Sequence, residues 1–224
     1  MVIMDTYINQ MKTILENIKK EGSTPSLLLH SCCAPCSSTC IEQLTDYFNI
    51  TVFYYNPNIE PLEEYLKRKE EQKSFIQRFP HKNKIDIIDC DYDNKSWHHF
   101  IHGFEKCGEG SERCYRCYVF RLEETARQTK LNNFDYFATT LTLSPYKNIK
   151  WLNDIGFALA QKYDVKYLPS HFGDDGGVDR SCELSNQYGL YQQNYCGCVY
   201  SKMENSTMDQ VFDTMAKTNI TYKL

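Results

Sequence analysis

The segment Leu27-Leu28-Leu29-His30-Ser31-Cys32-Cys33-Ala34-Pro35-Cys36 joins a short apolar run to two adjacent cysteines and a third cysteine three residues on. Thr24-Pro25 bounds the run on one side and a loop of small residues on the other, so it reads as a buried strand. The cysteines then fall at its carboxyl end, where open α/β sheets keep their chemistry. Neighbouring α-carbons across a trans peptide lie about 3.8 Å apart, whereas a disulfide wants roughly 4.4 to 6.8 Å, so Cys32 and Cys33 need partners other than each other. Two thiolates from one turn can both serve a metal cluster whose other ligands come from elsewhere in the chain.

Working outward, residues Met1 to Lys20 carry Asp5, Lys12, Glu16, Lys19 and Lys20 with no continuous apolar run, which argues against a signal peptide or a membrane span. Ile8, Met11, Ile14, Leu15 and Ile18 keep helical spacing, predicting an amphipathic first helix over 1–22. Past the cysteines, Ser37 to Phe48 reads as a helix, Ile50 to Tyr55 as a second strand ended by Asn56-Pro57-Asn58, and Pro61 opens another helix. Further strands are expected at Ile85 to Cys90, Phe134 to Thr142 and Val165 to Leu168, with a helix over Trp151 to Tyr163. The segment Gly173 to Gly177 is a loop by composition, and Met203, Met208, Val211, Phe212 and Met215 mark a last amphipathic helix over 203–224, expected to pack on the first. Alternation of strand and helix implies a parallel sheet. The expected fold is therefore α/β: a single Rossmann-like (HUP-like) domain over 1–224, a parallel sheet of about five strands flanked by helices, and cysteine-rich loops at the strand C-terminal edge.

The chain of 224 residues suits one such domain. A net charge of −4 gives no global reason to expect a polyanionic partner, so any nucleic-acid surface would be a local patch. Eleven cysteines is an odd number, in a chain too long to need disulfide staples. A cytoplasmic location keeps thiols reduced, and clustered cysteines there bind metal or do redox chemistry.

Three constellations could carry chemistry. Cys32 and Cys33, with Cys114 and Cys117 of a later C-x-x-C that opens a helix, make four thiolates from two loops that a parallel sheet can bring to one edge. Four thiolates suit structural zinc or an iron–sulfur cluster; the adjacent pair and the long gap match no common zinc module, which tilts the choice toward iron and sulfur. Cys33-Ala34-Pro35-Cys36 is also a thioredoxin-like C-x-x-C, although only one helix precedes its strand. Cys196-Gly197-Cys198 can close a disulfide only in a bent geometry, which glycine permits, and a strained disulfide is readily reduced. His98, His99 and His102 could ligate metal, but a solvated flank packing on Trp97 is the better reading. Arg113, Tyr115, Arg116, Tyr118, Lys147, Lys150, Arg180, Tyr188, Tyr191 and Tyr195 offer charges for phosphates and rings for bases.

These residues resemble one family. His30 to Cys36, Tyr55-Asn56-Pro57-Asn58-Ile59, Arg113-Cys114 with Cys117-Tyr118, Thr139-Thr140-Leu141 with Ser144-Pro145-Tyr146-Lys147, Arg180-Ser181-Cys182 and Tyr195-Cys196-Gly197-Cys198 together look like the epoxyqueuosine reductases of the QueH type, over Leu27 to Tyr200. The resemblance implies a cytoplasmic oxidoreductase of queuosine biosynthesis and tRNA processing, acting on tRNA that bears epoxyqueuosine, with an external electron donor and no membrane. It implies a 4Fe-4S cluster on Cys32, Cys33, Cys114 and Cys117, and a redox-active disulfide of Cys196 and Cys198. In some members it implies an additional mononuclear iron, for which Cys36, Cys90, Asp91 and Asp175 are the candidates. Arg113, Lys147 and Arg180 are the expected substrate contacts, and Cys40 and Cys107 are left structural. A thioredoxin-like thiol oxidoreductase and a zinc-stabilised tRNA-binding module without catalysis remain the alternatives at this point.

Overall fold

The computed structural model describes residues 4–206. The segment Ser26–His30 (β1) is the centre of a five-stranded sheet with Asn49–Phe53 (β2), Ile85–Ile88 (β3), Tyr136–Thr139 (β4) and Lys166–Tyr167 (β5), in the order β3-β2-β1-β4-β5. Every pairing is parallel. Leu28 of β1 lies opposite Thr51 of β2 on one side and Phe137 of β4 on the other.

Leu27, Leu28 and Leu29 are all fully buried because both faces of the sheet are covered. Alternation sends Leu27 and Leu29 into one core with Ile41, Phe75 and Leu184, and Leu28 into a second core with Leu122, Phe137 and Leu152. The first face carries helices Met4–Glu21 (α1), Ala34–Leu44 (α2), Leu62–Arg78 (α3) and Gly177–Tyr188 (α7). The second carries Glu112–Leu131 (α5) and Ile149–Tyr163 (α6), with the short helix Asn94–Phe100 (α4) beside α5.

The expected single α/β domain with five parallel strands and flanking helices is what the molecule builds, with two differences that matter for the site. First, α2 starts at Ala34, not Ser37, because Pro35 is favourable in the first turn; Cys33 becomes its N-cap and Cys36 lies in that turn. Second, α7 follows directly on the glycine-rich loop. Its face toward α2 is largely Ser181, Leu184 and Ser185, and Ser181 Oγ donates to the Pro35 carbonyl at 2.8 Å, so little apolar period announces it. The last helix begins by residue 199, and its described part, 199–206, packs through Glu204 and Ser201 on the loop that precedes α5. Packing of residues 207–224 on α1 lies outside the described residues.

Candidate functional site

The site is assembled at the carboxyl edge of β1 and β4, on either side of the point where the strand order reverses. His30, the last residue of β1, is fully buried; one ring nitrogen lies 2.9 Å from Thr139 Oγ1 and the other 3.2 Å from the Tyr55 carbonyl. Burial, aided by the Arg121 charge, pushes its pKa down to about 3, so the ring is a neutral strut between three strand ends. Ser31 continues the frame: its hydroxyl donates to Gln72 Oε1 at 2.7 Å, and its carbonyl accepts from Asn56 Nδ2 at 2.7 Å.

Held by that frame, the sulfurs of Cys32, Cys33 and Cys36 lie within 4.8 Å of one another. Among the described residues this is the group of three or more Cys, His, Asp or Glu side chains close enough to hold a metal ion. Cys32 and Cys33 stand 3.7 Å apart, sulfur to sulfur, and all eleven cysteines are free. Hydrogen bonds from Cys33 and Cys36, then the Arg121 charge, outweigh burial and hold the Cys32 thiol well below its ordinary range. The same bonds push Cys33 and Cys36 up. Three thiols this close share hydrogen bonds, and a metal would take all three as thiolates. Gln193 Nε2 donates to Cys33 Sγ at 3.0 Å from above.

Cys114 and Cys117 sit one turn apart at the start of α5, both buried. The Gly110 N–H donates to Cys114 Sγ at 3.3 Å, and Cys117 packs with Trp97, Ile101 and Cys198. One turn further on, Arg121 is 2% exposed and points between the two cysteine regions, where Cys117, Cys196 and Cys32 hold its charge against burial. Its hydrogen bonds, to the Cys117 carbonyl and Asn56 Oδ1, are long at 3.4 Å, and Nη2 has no partner among the described residues. A buried guanidinium with only neutral hydrogen-bond acceptors needs an anion nearby. A thiolate-ligated metal group carries that sign, so the donor set and its surroundings fit one.

Cys32, Cys36 and Arg121 form one wall of a cavity of about 800 Å³, and Lys147, Tyr195 and Cys196 line it too. The Lys147 side chain is only 9% exposed; Nζ donates to Cys196 Sγ at 2.9 Å and lies 3.8 Å from Glu109. Burial works against its charge, but the Cys196 sulfur and Tyr118 hold it above the ordinary lysine range. Cys198 is buried, and burial, then the neighbouring Cys196, pushes its thiol up to about 12. Gly197 between them has φ +126°, a backbone angle that side chains rarely adopt, and a Cβ there would lie 2.9 Å from Ile59 Cγ1.

Other expected residues lie elsewhere. Arg113 is buried, and its guanidinium clamps the carbonyls of Glu105 and Cys107 and the carboxylate of Glu204, away from the cavity lining. Arg180 is spent on Glu42 and Glu183, and Asp175 on Lys12 of α1. Cys90 and Asp91 follow β3 at the far side of the sheet order from β4; burial pushes the Cys90 thiol up to about 12, while Asp91 is exposed. Of the four candidates for an additional iron, Cys36 is the one grouped with Cys32 and Cys33. His98 pairs with Glu60 at 3.0 Å beside Trp97, and His102 with Glu105 at 3.0 Å. Arg121 and Gln193 were not picked out from the sequence. Arg121 follows Cys117 by one helical turn, the sole local hint, and Gln193 lies in a polar stretch without period.

The family model described as Epoxyqueuosine reductase QueH matches residues 27–204. The chain is 40% identical over 210 residues to the Epoxyqueuosine reductase QueH of Streptococcus pyogenes serotype M1, covering 92% of this chain and 81% of that one. It is 41% identical over 186 residues to that of Acinetobacter baylyi, covering 82% and 84%, and 37% identical over 182 residues to that of Thermotoga maritima, covering 80% and 91%.

Proposed function

The chain belongs to the epoxyqueuosine reductase QueH family and is an oxidoreductase, and on that premise we propose that it converts epoxyqueuosine to queuosine at the wobble position of tRNA in the cytoplasm. The observation that carries this reading is the single cavity lined by Cys32, Cys36 and Arg121 together with Cys196 and Lys147. A volume of about 800 Å³ is in the range of pockets that take a nucleoside-sized ligand. Among the described residues, no helix is long and apolar enough to cross a membrane.

Removing the epoxide oxygen takes two electrons and two protons, breaks two C–O bonds and releases water. Cys32, Cys33, Cys114 and Cys117 would hold a 4Fe-4S cluster, and Cys36 would be a ligand for any additional iron; such a group would supply electrons singly and a Lewis acid for oxygen. The chain's own residues do the rest. Lys147, an ammonium on the cavity wall, stabilises negative charge growing on the departing oxygen. Cys196 and Cys198 as a dithiol hold two electrons and two protons, which leave together when they close to a disulfide. Neutral His30 and the Ser31–Gln72 and Asn56 bonds keep the cysteine loop in place, so little reorganisation accompanies the reaction.

The thioredoxin-like alternative wants a strand and a helix before the strand that leads into its C-x-x-C, whereas β1, which leads into Cys33-Ala34-Pro35-Cys36, is preceded only by α1. The test is direct: the anaerobically reconstituted protein is incubated with epoxyqueuosine-containing tRNA and a reductant, and the nucleosides are weighed by mass spectrometry. Loss of one oxygen supports the reading. An unchanged nucleoside with fully iron-loaded protein and reduced donor overturns it.

A further inference from the structure

We propose that Cys196 is the sulfur of the Cys196–Cys198 pair that exchanges with an external dithiol reductant, and that Lys147 is the positioning residue that holds it for that exchange. This rests on the reading above that the pair is redox-active.

Two cysteines separated by one residue occupy unlike surroundings. Cys196 is part of the cavity lining, and its Sγ takes the Lys147 ammonium at 2.9 Å. Lys147 has little freedom to leave: its side chain is 9% exposed, and it also pairs with Glu109 at 3.8 Å. Cys198, by contrast, is 7% exposed, packs with Trp97, Ile101 and Cys117, and accepts the Ser201 N–H at 3.4 Å. The backbone between them is pinned: Glu60 N–H donates to the Gly197 carbonyl at 2.8 Å, and Arg68 donates to the Cys196 carbonyl at 3.4 Å. Pinned in this way, the turn leaves Cys196 facing the cavity and Cys198 behind it.

The exchange then has a defined direction. A thiolate of the reductant attacks Cys196 Sγ; the Cys196–Cys198 bond breaks, and Cys198 leaves with the electron pair and takes a proton from water. The reductant's second thiolate attacks its own sulfur in the mixed disulfide, and Cys196 departs as a thiolate beside the Lys147 ammonium. Two electrons have passed, the pair is a dithiol again and the reductant is a disulfide. Lys147 thus donates to the sulfur that must leave last.

Mixed-disulfide trapping tests this on the full, iron-loaded chain. Cys198→Ser, Cys196→Ser and Cys198→Ser with Lys147→Met or Lys147→Arg are exposed to oxidised glutathione at pH 7, and adducts are located by peptide mass spectrometry. Iron content, measured alongside, reports retention of the fold. Cys198→Ser should accumulate the adduct on Cys196, and Cys196→Ser should form the Cys198 adduct far more slowly. Adding Lys147→Met should slow the Cys196 adduct on the order of tenfold, the scale of one charge-assisted hydrogen bond, while Lys147→Arg keeps most of the rate. Equal reaction at Cys198, or no effect of Lys147→Met, overturns the proposal and leaves the redox pair standing. If the unaltered protein never forms the Cys196–Cys198 disulfide under oxidant, the redox-pair reading falls and takes this one with it.

Discussion

Arg121→Met should leave the iron-free protein as stable as before, or more so, and make the iron-loaded protein surrender its metal faster. Arg121 is 2% exposed, with Nη2 unpartnered among the described residues and its two hydrogen bonds stretched to 3.4 Å on neutral oxygens. An unmet buried donor costs about 1 to 3 kcal/mol, and methionine fills much of the same volume for less than about 1.5 kcal/mol. The two roughly cancel, so the iron-free stability should change by no more than about 1 kcal/mol in the unfavourable direction. That is unusual for a buried charge, since breaking a well-paired one costs roughly 3 to 5 kcal/mol. Once thiolates are locked onto a metal group, the guanidinium is a buried positive charge beside it, and its loss should speed iron release to a chelator on the order of tenfold. Urea unfolding of the iron-free protein, followed by circular dichroism, reads the first quantity; bleaching of the visible absorption under chelator reads the second. A loss of 3 kcal/mol or more in the iron-free protein, with unchanged iron release, would show that Arg121 is already compensated and that no anionic group is expected beside it.

Cys114→Ser should lose iron and activity together, and a fully loaded, fully active variant would remove Cys114 from the ligand set. Cys196→Ser should retain iron, assayed colorimetrically, but lose turnover; loss of iron instead would move Cys196 among the ligands. Asp135 takes the Ser26 N–H and hydroxyl at 2.8 and 2.7 Å at the entry of β1, and those bonds hold its carboxyl below the ordinary range. Because it is exposed, Asp135→Asn should cost under about 1 kcal/mol. Its folded-state pKa is depressed, so that contribution is present above the ordinary carboxylate pKa and lost as pH falls through the folded value; unfolding curves of the two proteins should converge at acid pH.

Much of this was readable along the chain. Leu27 to Leu29 announce a strand buried on both faces, and Pro35 and the cysteines announce the turn that follows. The C-x-x-C of Cys114 and Cys117 announces the start of α5. Such signals survive in one dimension because backbone pairing, helical period and turn chemistry are set by neighbours a few residues apart. The start of α2 and the whole of α7 were less legible, since a proline in the first turn and a seam of serines carry little hydrophobic period.

Which groups meet is a different matter. The placement of β1 between β2 and β4 carries Cys32 and Cys36 to the cavity that Lys147 and Cys196 also line, more than a hundred residues later in the chain. The same folding consumes Arg113 and Arg180 in ion pairs, though as residue types they were as eligible as Lys147. It also leaves Arg121, unremarkable in the sequence, as a buried charge facing sulfur. Charge and thiol chemistry depend on distance and burial, and both are properties of the packed chain: identical side chains become a clamp, a solvated pair or part of a site according to what the strand order sets beside them.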